Sequence, residues 1–222
     1  MINPKQVAGE KAAEYIKSGM LVGLGTGSTA YWATKKIGEL VRLGLKIHCV
    51  PTSESTEKFA RELEIPLLDI ADVEQLDITI DGADEVDRNK DLIKGGGGAL
   101  LREKIIASIT KYYIIVVDAS KRVEILGKFP VPVEVTPFAF QITERQLSQF
   151  GCTTKLRSAS NAKPYVTDNG NLIIDCSFGK IDRPDLLATN LNQLPGVVEN
   201  GLFPKQTDLV ICADEQGKIS IF

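Results

Sequence analysis

Short apolar runs alternate along the chain with segments in which apolar residues recur every three or four positions. The apolar runs predict strands at residues 20–24, 45–50, 65–69, 76–80 and 112–117. The amphipathic segments predict helices at residues 4–17, 30–43, 53–63 and 99–107. Strands that alternate with helices indicate a mostly parallel sheet covered on both faces. The first part of the chain is therefore expected to have an α/β fold.

The alternation changes after residue 129. Pro130, Pro132 and Pro137 interrupt it, and the residues up to about 204 predict a smaller α+β unit. Its predicted elements are strands at 131–135, 172–176 and 197–202 and helices at 144–150 and 184–194. Residues 208–213 and 218–222 are again short apolar strands that are expected to rejoin the first sheet. Residues 1–129 with 205–222 are thus predicted as one domain, and residues 130–204 as a second.

The composition is typical of a globular protein and bears on which classes of partner it can bind. The chain has 222 residues, of which 43% are hydrophobic and 25% charged, and its net charge is -3. Without a basic excess we expect no nucleic-acid partner. The apolar runs are too short to span a membrane, and no apolar secretory segment is visible, so we expect a cytoplasmic protein. The four cysteines lack metal-ligand or redox-motif spacing and are predicted to be reduced thiols.

A run of four glycines after a lysine, residues 94–98 (the glycine loop), carries the strongest chemical signal. Consecutive glycines lose much conformational entropy on folding, so they indicate close approach of the backbone to a ligand. Their N–H groups can form an anion-binding nest. Lys94 contributes a cation, and Glu103 lies near the start of the following helix. This combination favours chemistry on an anion, the alternative being a flexible linker before a solvated helix.

Two further loops follow predicted strands, where ligands bind in open α/β sheets. The 25–29 loop has small and hydroxyl side chains before a helix, which suits a phosphate. Its Gly25-x-Gly27-x-x-Ala30 spacing also fits a dinucleotide fingerprint, but the next strand ends without the expected ribose-binding acid. The acidic loop, residues 81–87, contains four carboxylates. It is compatible with a solvated turn, a metal site, or acid–base work on sugar hydroxyls by Asp81 and Asp84.

The single histidine, His48, lies in a predicted strand and is expected to be a sheet residue. Zinc sites and Ser-His-Asp triads therefore have little support. Any acid–base catalysis must rely on carboxylates.

Several long motifs resemble the signatures of type A ribose-5-phosphate isomerases. They are Gly23-Leu24-Gly25-Thr26-Gly27-Ser28-Thr29-Ala30, Asp81-Gly82-Ala83-Asp84-Glu85 and Lys94-Gly95-Gly96-Gly97-Gly98-Ala99-Leu100. The similarity continues through residues 101–108, 118–121, 126–135, 166–171 and 194–203, and so covers nearly the whole chain. No catalytic position departs from the family pattern.

The resemblance implies an enzyme without cofactor or metal that interconverts D-ribose 5-phosphate and D-ribulose 5-phosphate through a cis-enediol. It implies a Rossmann-like, mostly parallel sheet with a smaller inserted α+β domain, assembled as a homodimer or larger homo-oligomer. Glu103 is then the base, with Asp81, Asp84 and Lys94 as further catalytic residues. The implied substrate-binding set is Thr26, Gly27, Ser28, Thr29, Asp81, Gly82, Ala83, Asp84, Lys94, Gly95, Gly96, Gly97 and Lys121.

Two other classes of function remain as alternatives. One is a different enzyme on a similar sheet, either an amino-sugar-phosphate deaminase or a CoA transferase. A deaminase needs a catalytic histidine, for which His48 is badly placed. The other is a sugar-phosphate sensor, but a sensor does not need Glu103 and no basic helix-turn-helix segment is present.

Overall fold

The computed structural model describes residues 2–160 and 162–222 of the chain, which divide into two units. The first unit comprises Met1–Ala83, Arg102–Arg122 and Gln206–Phe222. The second comprises Asp84–Leu101 and Val123–Lys205. The chain therefore leaves the first unit twice and returns to it twice.

The helices and strands of the described residues have the following bounds. The helices are α1 (Pro4–Ala13), α2 (Ala30–Arg42), α3 (Glu54–Glu62), α4 (Leu100–Ser108), α5 (Phe140–Ser148) and α6 (Pro184–Asn192). The first strands are β1 (Leu21–Leu24), β2 (His48–Pro51), β3 (Ile78–Gly82), β4 (Glu85–Val86), β5 (Leu92–Ile93), β6 (Tyr113–Asp118) and β7 (Val131–Val135). The remaining strands are β8 (Thr153–Leu156), β9 (Leu172–Ser177), β10 (Val197–Asn200), β11 (Leu202–Phe203), β12 (Leu209–Ala213) and β13 (Ile219–Ile221).

The first unit is built on a six-stranded sheet in the order β13-β12-β6-β3-β1-β2. Its strands pair in parallel, except that β13 runs antiparallel to β12. Strand β6 is buried along its whole length, as expected for a central parallel strand covered on both faces. Buried side chains of α1, α2 and the sheet form one core, which includes Ala8, Ile37 and Ile114. The predicted return of residues 208–213 to the first sheet is confirmed.

The second unit contains two antiparallel sheets. One has four strands in the order β10-β7-β9-β8, and the other has three short strands in the order β11-β5-β4. Its separate core contains Val133, Leu147 and Ile174 and receives partly buried side chains from α5 and α6. The predicted fold class, a mostly parallel α/β sheet with a smaller α+β domain, is confirmed.

The structural division differs in detail from the domain boundaries expected from the sequence. Residues 84–101 group with the second unit, because β4 pairs with β5 and β5 pairs with β11. Residues 123–129 also belong to it, and Leu126 forms a bridge to Ile181. The strand predicted at 65–69 is wrong. Only Leu67 forms a bridge, to Cys49, and Asp69 then accepts the Ala71 N–H at the start of a 3₁₀ turn. The second domain's first helix begins at Phe140, four residues before the expected 144.

Within the part of the chain that the structure describes, no helix combines the length and apolar character needed to cross a membrane. Cys49, Cys152, Cys176 and Cys212 are buried free thiols. Burial raises the pKa of the Cys49 thiol to about 12, so this side chain behaves as a small apolar residue.

Candidate active site

Three neighbouring parallel strands of the first unit end at the same edge of the sheet. Strand β1 leads into the 25–29 loop, β3 ends with Asp81 and Gly82, and β6 leads into a 3₁₀ turn that ends at Lys121. Lys121 is half-buried there. Since ligands bind beyond the carboxyl ends of such strands, this edge is the natural place for a site in the first unit.

Asp81 is the most tightly held carboxylate at this edge. Its side chain is fully buried, and its Oδ1 accepts the N–H groups of Thr26 at 3.0 Å and Gly82 at 2.7 Å. The Tyr113 hydroxyl donates to Asp81 Oδ2 at 2.9 Å. Gly25 allows this close approach, because a Cβ at that position would collide with the Asp81 side chain. The 25–29 loop and Asp81 are thus fixed to each other.

Glu103 is a second buried carboxylate near the same phenol. It lies in the first turn of α4 and is 4% exposed. The pKa of Tyr113 is raised well above its ordinary value, first by burial and then by the negative charges of Asp81 and Glu103. Aspartate and glutamate are rarely buried to this extent without a structural or chemical reason. The first unit therefore brings two buried carboxylates to one tyrosine.

The 25–29 loop precedes a helix and is rich in hydroxyl groups. The Thr26 Oγ1 atom lies 2.7 Å from Thr52 Oγ1 and 2.7 Å from Ser53 Oγ, which ties the loop to the start of α3. Thr29 is buried and directly precedes α2, whereas Gly27 and Ser28 are exposed. Exposed loop atoms at the N-terminus of a thirteen-residue helix suit a phosphate group.

The same loop lines a cavity of about 540 Å³. The cavity is also lined by Tyr31 and Phe59, whose rings stack with centroids 4.5 Å apart, and by Trp32, which meets Tyr31 edge-on. This volume is within the range of small-molecule pockets.

Lys5 is a residue of this region that the sequence analysis did not select. Its Nζ donates to Ser28 Oγ at 2.9 Å, although the two residues are 23 positions apart. A lysine in the first turn of a surface helix gives no sequence signal, since most such lysines are solvated. Its position adds positive charge beside the exposed part of the 25–29 loop.

The second unit holds the remaining candidates, beginning with Lys94. This side chain is 1% exposed, and its Nζ lies 5.5 Å from the centroid of the Phe203 ring. The Lys94 N–H donates to the Gly201 carbonyl at 2.9 Å, which continues the pairing of β5 with β11. A lysine buried this deeply is unusual in a globular protein and marks Lys94 for a specific role.

Asp84 and the glycine loop meet directly within the second unit. Asp84 Oδ2 accepts the Gly96 N–H at 2.7 Å, and the Asp84 N–H donates to the Ile93 carbonyl at 2.8 Å. Gly95 is buried, whereas Gly96 and Gly97 are exposed. Asp84 therefore fixes the middle of the glycine loop, where Gly96 and Gly97 are exposed.

The other acids of the acidic loop have structural partners. Glu85 accepts the N–H groups of Gly127 at 2.8 Å and Phe129 at 2.6 Å, and is buried. Asp87 accepts the N–H groups of Asn89 and Asp91 in a turn. Across residues 2–160 and 162–222, no three histidine, cysteine, aspartate or glutamate side chains are grouped to hold a metal ion.

The predicted site residues thus form two sets, one in each unit. The first set contains Thr26, Gly27, Ser28, Thr29, Asp81, Gly82, Ala83, Glu103 and Lys121, and the second contains Asp84, Lys94, Gly95, Gly96 and Gly97. Within the first set, Asp81 joins Thr26 and Gly82; within the second, Asp84 joins Gly96. His48 is the exposed first residue of β2.

Comparisons with known proteins identify the family of this chain. The family described as ribose 5-phosphate isomerase A (phosphoriboisomerase A) matches residues 48–217. Ribose-5-phosphate isomerase A of Listeria monocytogenes is 51% identical over 221 residues, covering 100% of this chain and 99% of the relative. That of Bacillus mycoides is 50% identical over 218 residues, with 98% of each chain covered. A solved D-ribose-5-phosphate isomerase in complex with phospho-erythronic acid superposes with a TM-score of 0.96 at 41% identity, covering 100% and 99% of the two chains.

Proposed function

The chain belongs to the ribose 5-phosphate isomerase A family, and we propose that its reaction proceeds through a cis-enediol with Glu103 as the base. The protein is an aldose–ketose isomerase that interconverts D-ribose 5-phosphate and D-ribulose 5-phosphate in pentose phosphate metabolism. The observation that supports this mechanism best is the buried Glu103 carboxylate, whose charge acts on Tyr113 together with that of Asp81. A deaminase, a CoA transferase and a sensor have no comparable support.

The reaction moves one proton from C2 to C1 and another from O2 to O1. Glu103 takes the C2 proton of the open-chain aldose, and the resulting carbanion is stabilised as an enediolate. The same carboxyl group then delivers a proton to C1, because both carbons of a planar cis-enediol lie on one face within its reach. One carboxylate therefore suffices for both carbon-bound transfers.

Ribose 5-phosphate is mainly a furanose, so ring opening must precede the transfer. We assign this step to Asp81, which would take the anomeric hydroxyl proton while the ring oxygen gains one. Its position is fixed by hydrogen bonds from Thr26, Gly82 and Tyr113. Asp84 is assigned to orienting substrate hydroxyls in addition to fixing Gly96.

Negative charge on the enediolate oxygen needs fixed donors in a dry environment. We assign this role to Lys94, which is almost fully buried, and to N–H groups of the glycine loop. Preorganised donors of this kind lower the barrier because they need no reorientation as the charge develops.

The phosphate group is assigned to the 25–29 loop and the N-terminus of α2. The neighbouring cavity gives the sugar phosphate room, and Lys5 beside Ser28 would add a positive charge. Lys121, at the same sheet edge, is assigned to a phosphate or hydroxyl contact. The relative solved with phospho-erythronic acid supports this class of ligand.

We also propose that the protein acts in the cytoplasm as a homodimer or larger homo-oligomer. Four buried free thiols support a reducing compartment. Phe138 is 89% exposed and Ile142, close by in α5, is 51% exposed, which supports burial of this surface by a second copy. Size-exclusion chromatography with light-scattering detection measures the molar mass of the protein and so tests whether it forms a homo-oligomer.

The decisive experiment measures ketose formation from ribose 5-phosphate by the wild type and by Glu103→Gln. The amide keeps the shape of the side chain but cannot accept the C2 proton. We expect kcat to fall by about 10⁴-fold, the upper end of the range for a general base, with little change in KM.

Glu103→Asp is the matched variant, because it keeps the carboxylate but withdraws it by one methylene. It should retain more activity than Glu103→Gln. A wild type that forms no ketose would refute the isomerase function, whereas a Glu103→Gln variant with a tenth of the wild-type kcat would remove only Glu103 from the mechanism.

A further inference from the structure

The carbonyl groups of the glycine loop are held by side chains from a distant part of the second unit. Arg157 Nη1 donates to the Gly95 carbonyl at 2.7 Å and to the Gly96 carbonyl at 3.2 Å. The Tyr165 hydroxyl donates to the Gly97 carbonyl at 3.2 Å. Three successive carbonyls of a loop whose middle residues are exposed thus have side-chain donors, and these come from residues 61 to 68 positions away.

Arg157 is itself fixed by a bidentate ion pair. Its Nε and Nη2 donate to Asp175 on β9 at 3.0 and 2.5 Å, and the two side chains are only 14% and 20% exposed. The Arg157 N–H donates to the Ile173 carbonyl, so the residue continues the pairing of β8 with β9. All three guanidinium nitrogens therefore donate hydrogen bonds, Nε and Nη2 to Asp175 in the sheet and Nη1 to the glycine loop. A lysine has one nitrogen and cannot reproduce this geometry.

Tyr165 is placed against the same loop by its backbone and its ring. The Tyr165 N–H donates to the Arg157 carbonyl at 2.9 Å. Gly98 has a φ of +84°, and a Cβ there would collide with the Tyr165 ring. The pKa of Tyr165 is raised, chiefly by burial, so its hydroxyl remains a donor at neutral pH.

Because its carbonyl groups are held in this way, the glycine loop directs its N–H groups in defined directions. The Gly96 N–H is bound by Asp84, and the Gly98 N–H donates to the Gly95 carbonyl at 2.9 Å. In a trans peptide the C=O and N–H groups point in opposite directions. Since the Gly96 carbonyl faces Arg157, the Gly97 N–H faces away from it. Within residues 2–160 and 162–222 the Gly97 N–H has no acceptor, so it is available to a ligand.

We propose that Arg157 and Tyr165 are positioning residues that orient the glycine loop, so that the Gly97 N–H donates to the enediolate oxygen. This inference rests on the proposed isomerase mechanism and adds to it two side chains that do not touch the substrate. Their effect is expected on the transition state, where the oxygen carries most charge, more than on substrate binding.

The test compares kcat, KM and thermal midpoint for Arg157→Ala, Arg157→Lys and Tyr165→Phe. Arg183→Ala is the control, because it removes an exposed arginine of the same unit, directly before helix α6. We expect kcat of Arg157→Ala to fall by about 10²-fold, as for a misplacement of about 1 Å, with KM changed less than about threefold. Tyr165→Phe, which loses one hydrogen bond, should lose about threefold to tenfold in kcat. Arg157→Lys should lie between the wild type and Arg157→Ala.

Binding of phospho-erythronic acid, measured by calorimetry, provides a second readout. Its carboxylate is an anion like the enediolate, so Arg157→Ala should weaken its binding more than it raises KM. Equal kcat values for Arg157→Ala and Arg183→Ala would overturn the proposal, as would a fall in activity that appears only in KM. If Arg157→Ala does not fold, Arg157→Lys and Tyr165→Phe decide, and wild-type kcat in both would refute it. A wild type that forms no ketose would refute the isomerase mechanism instead.

Discussion

Replacing Tyr113 by phenylalanine removes one buried hydroxyl group from strand β6. The change tests how much the hydrogen bond from Tyr113 to Asp81 contributes to stability. Tyr113 is 1% exposed and donates to Asp81 Oδ2 at 2.9 Å. Hydrogen bonds to charged groups contribute about 1.5–3 kcal/mol, more than those between neutral groups. We therefore expect Tyr113→Phe to lower the free energy of unfolding by about 1.5–3 kcal/mol at pH 8.

The pH dependence of this difference follows from the pKa of the phenol. In the folded protein the pKa of Tyr113 is raised well above 10, first by burial and then by Asp81 and Glu103. The folded state therefore keeps a proton that the unfolded state releases above pH 10. The stabilisation is fully present below pH 10 and is lost as the pH rises towards the folded-state pKa, by up to about 1.4 kcal/mol per pH unit. Tyr113→Phe lacks this titration, so the two stabilities should converge near pH 11–12.

Urea unfolding at pH 8, 10 and 11, followed by circular dichroism, measures both effects. Tyr112→Phe is the matched control, because Tyr112 precedes Tyr113 in sequence but is 36% exposed. Tyr165, whose pKa is also raised, is present in both proteins and cancels in the difference. A Tyr113→Phe variant as stable as Tyr112→Phe at pH 8, or a stability difference that stays constant up to pH 11, would refute the reasoning.

Three further predictions concern the reaction. Lys94→Ala should lower kcat strongly, and Lys94→Arg should also be a poor enzyme because a planar guanidinium does not replace a compact ammonium; a normal kcat with only KM raised would contradict the enediolate role. Exhaustive treatment with EDTA should leave ketose formation unchanged, because Glu85 and Asp87 accept backbone N–H groups; loss of activity that a divalent ion restores would contradict this. Isomerisation in D2O should place deuterium on one face of C1 of ribulose 5-phosphate, seen by mass spectrometry and proton NMR; no label together with an active Glu103→Gln variant would refute the enediol mechanism.

Periodicity predicted the parallel sheet well, because its strands are short apolar runs. It failed for strands that are too short to carry a pattern. Strands β4, β5 and β11 have only two residues each, and they exist because they pair with one another. Their alternation is too short to show a period. The 65–69 segment has the composition of a strand, but its pairing ends after Leu67, because Asp69 begins a 3₁₀ turn.

The candidate site shows a similar limit. The motifs located the 25–29 loop, the acidic loop and the glycine loop, because the residues of each loop are consecutive in the sequence. Tyr113 and Arg157 were not found. Tyr113 lies in an apolar run and its hydroxyl reaches Asp81 only because β3 and β6 are neighbours in the sheet. Arg157 lies 62 residues from Gly95, and its role depends on the antiparallel pairing that places Asp175 beside it.

The acidic loop explains why proximity in sequence is a poor guide to convergence in space. Its four carboxylates suggested a metal site, but side chains of successive residues in extended backbone point to opposite faces. Asp81 accordingly receives N–H groups of Thr26 and Gly82, Asp84 that of Gly96, and Glu85 those of Gly127 and Phe129. These three carboxylates therefore bind the backbone of different segments, whereas Asp87 accepts the N–H groups of Asn89 and Asp91 in its own turn. The acids that follow strand β3 thus fix several backbone segments at defined positions, and the catalytic roles proposed for Asp81 and Asp84 depend on that fixation.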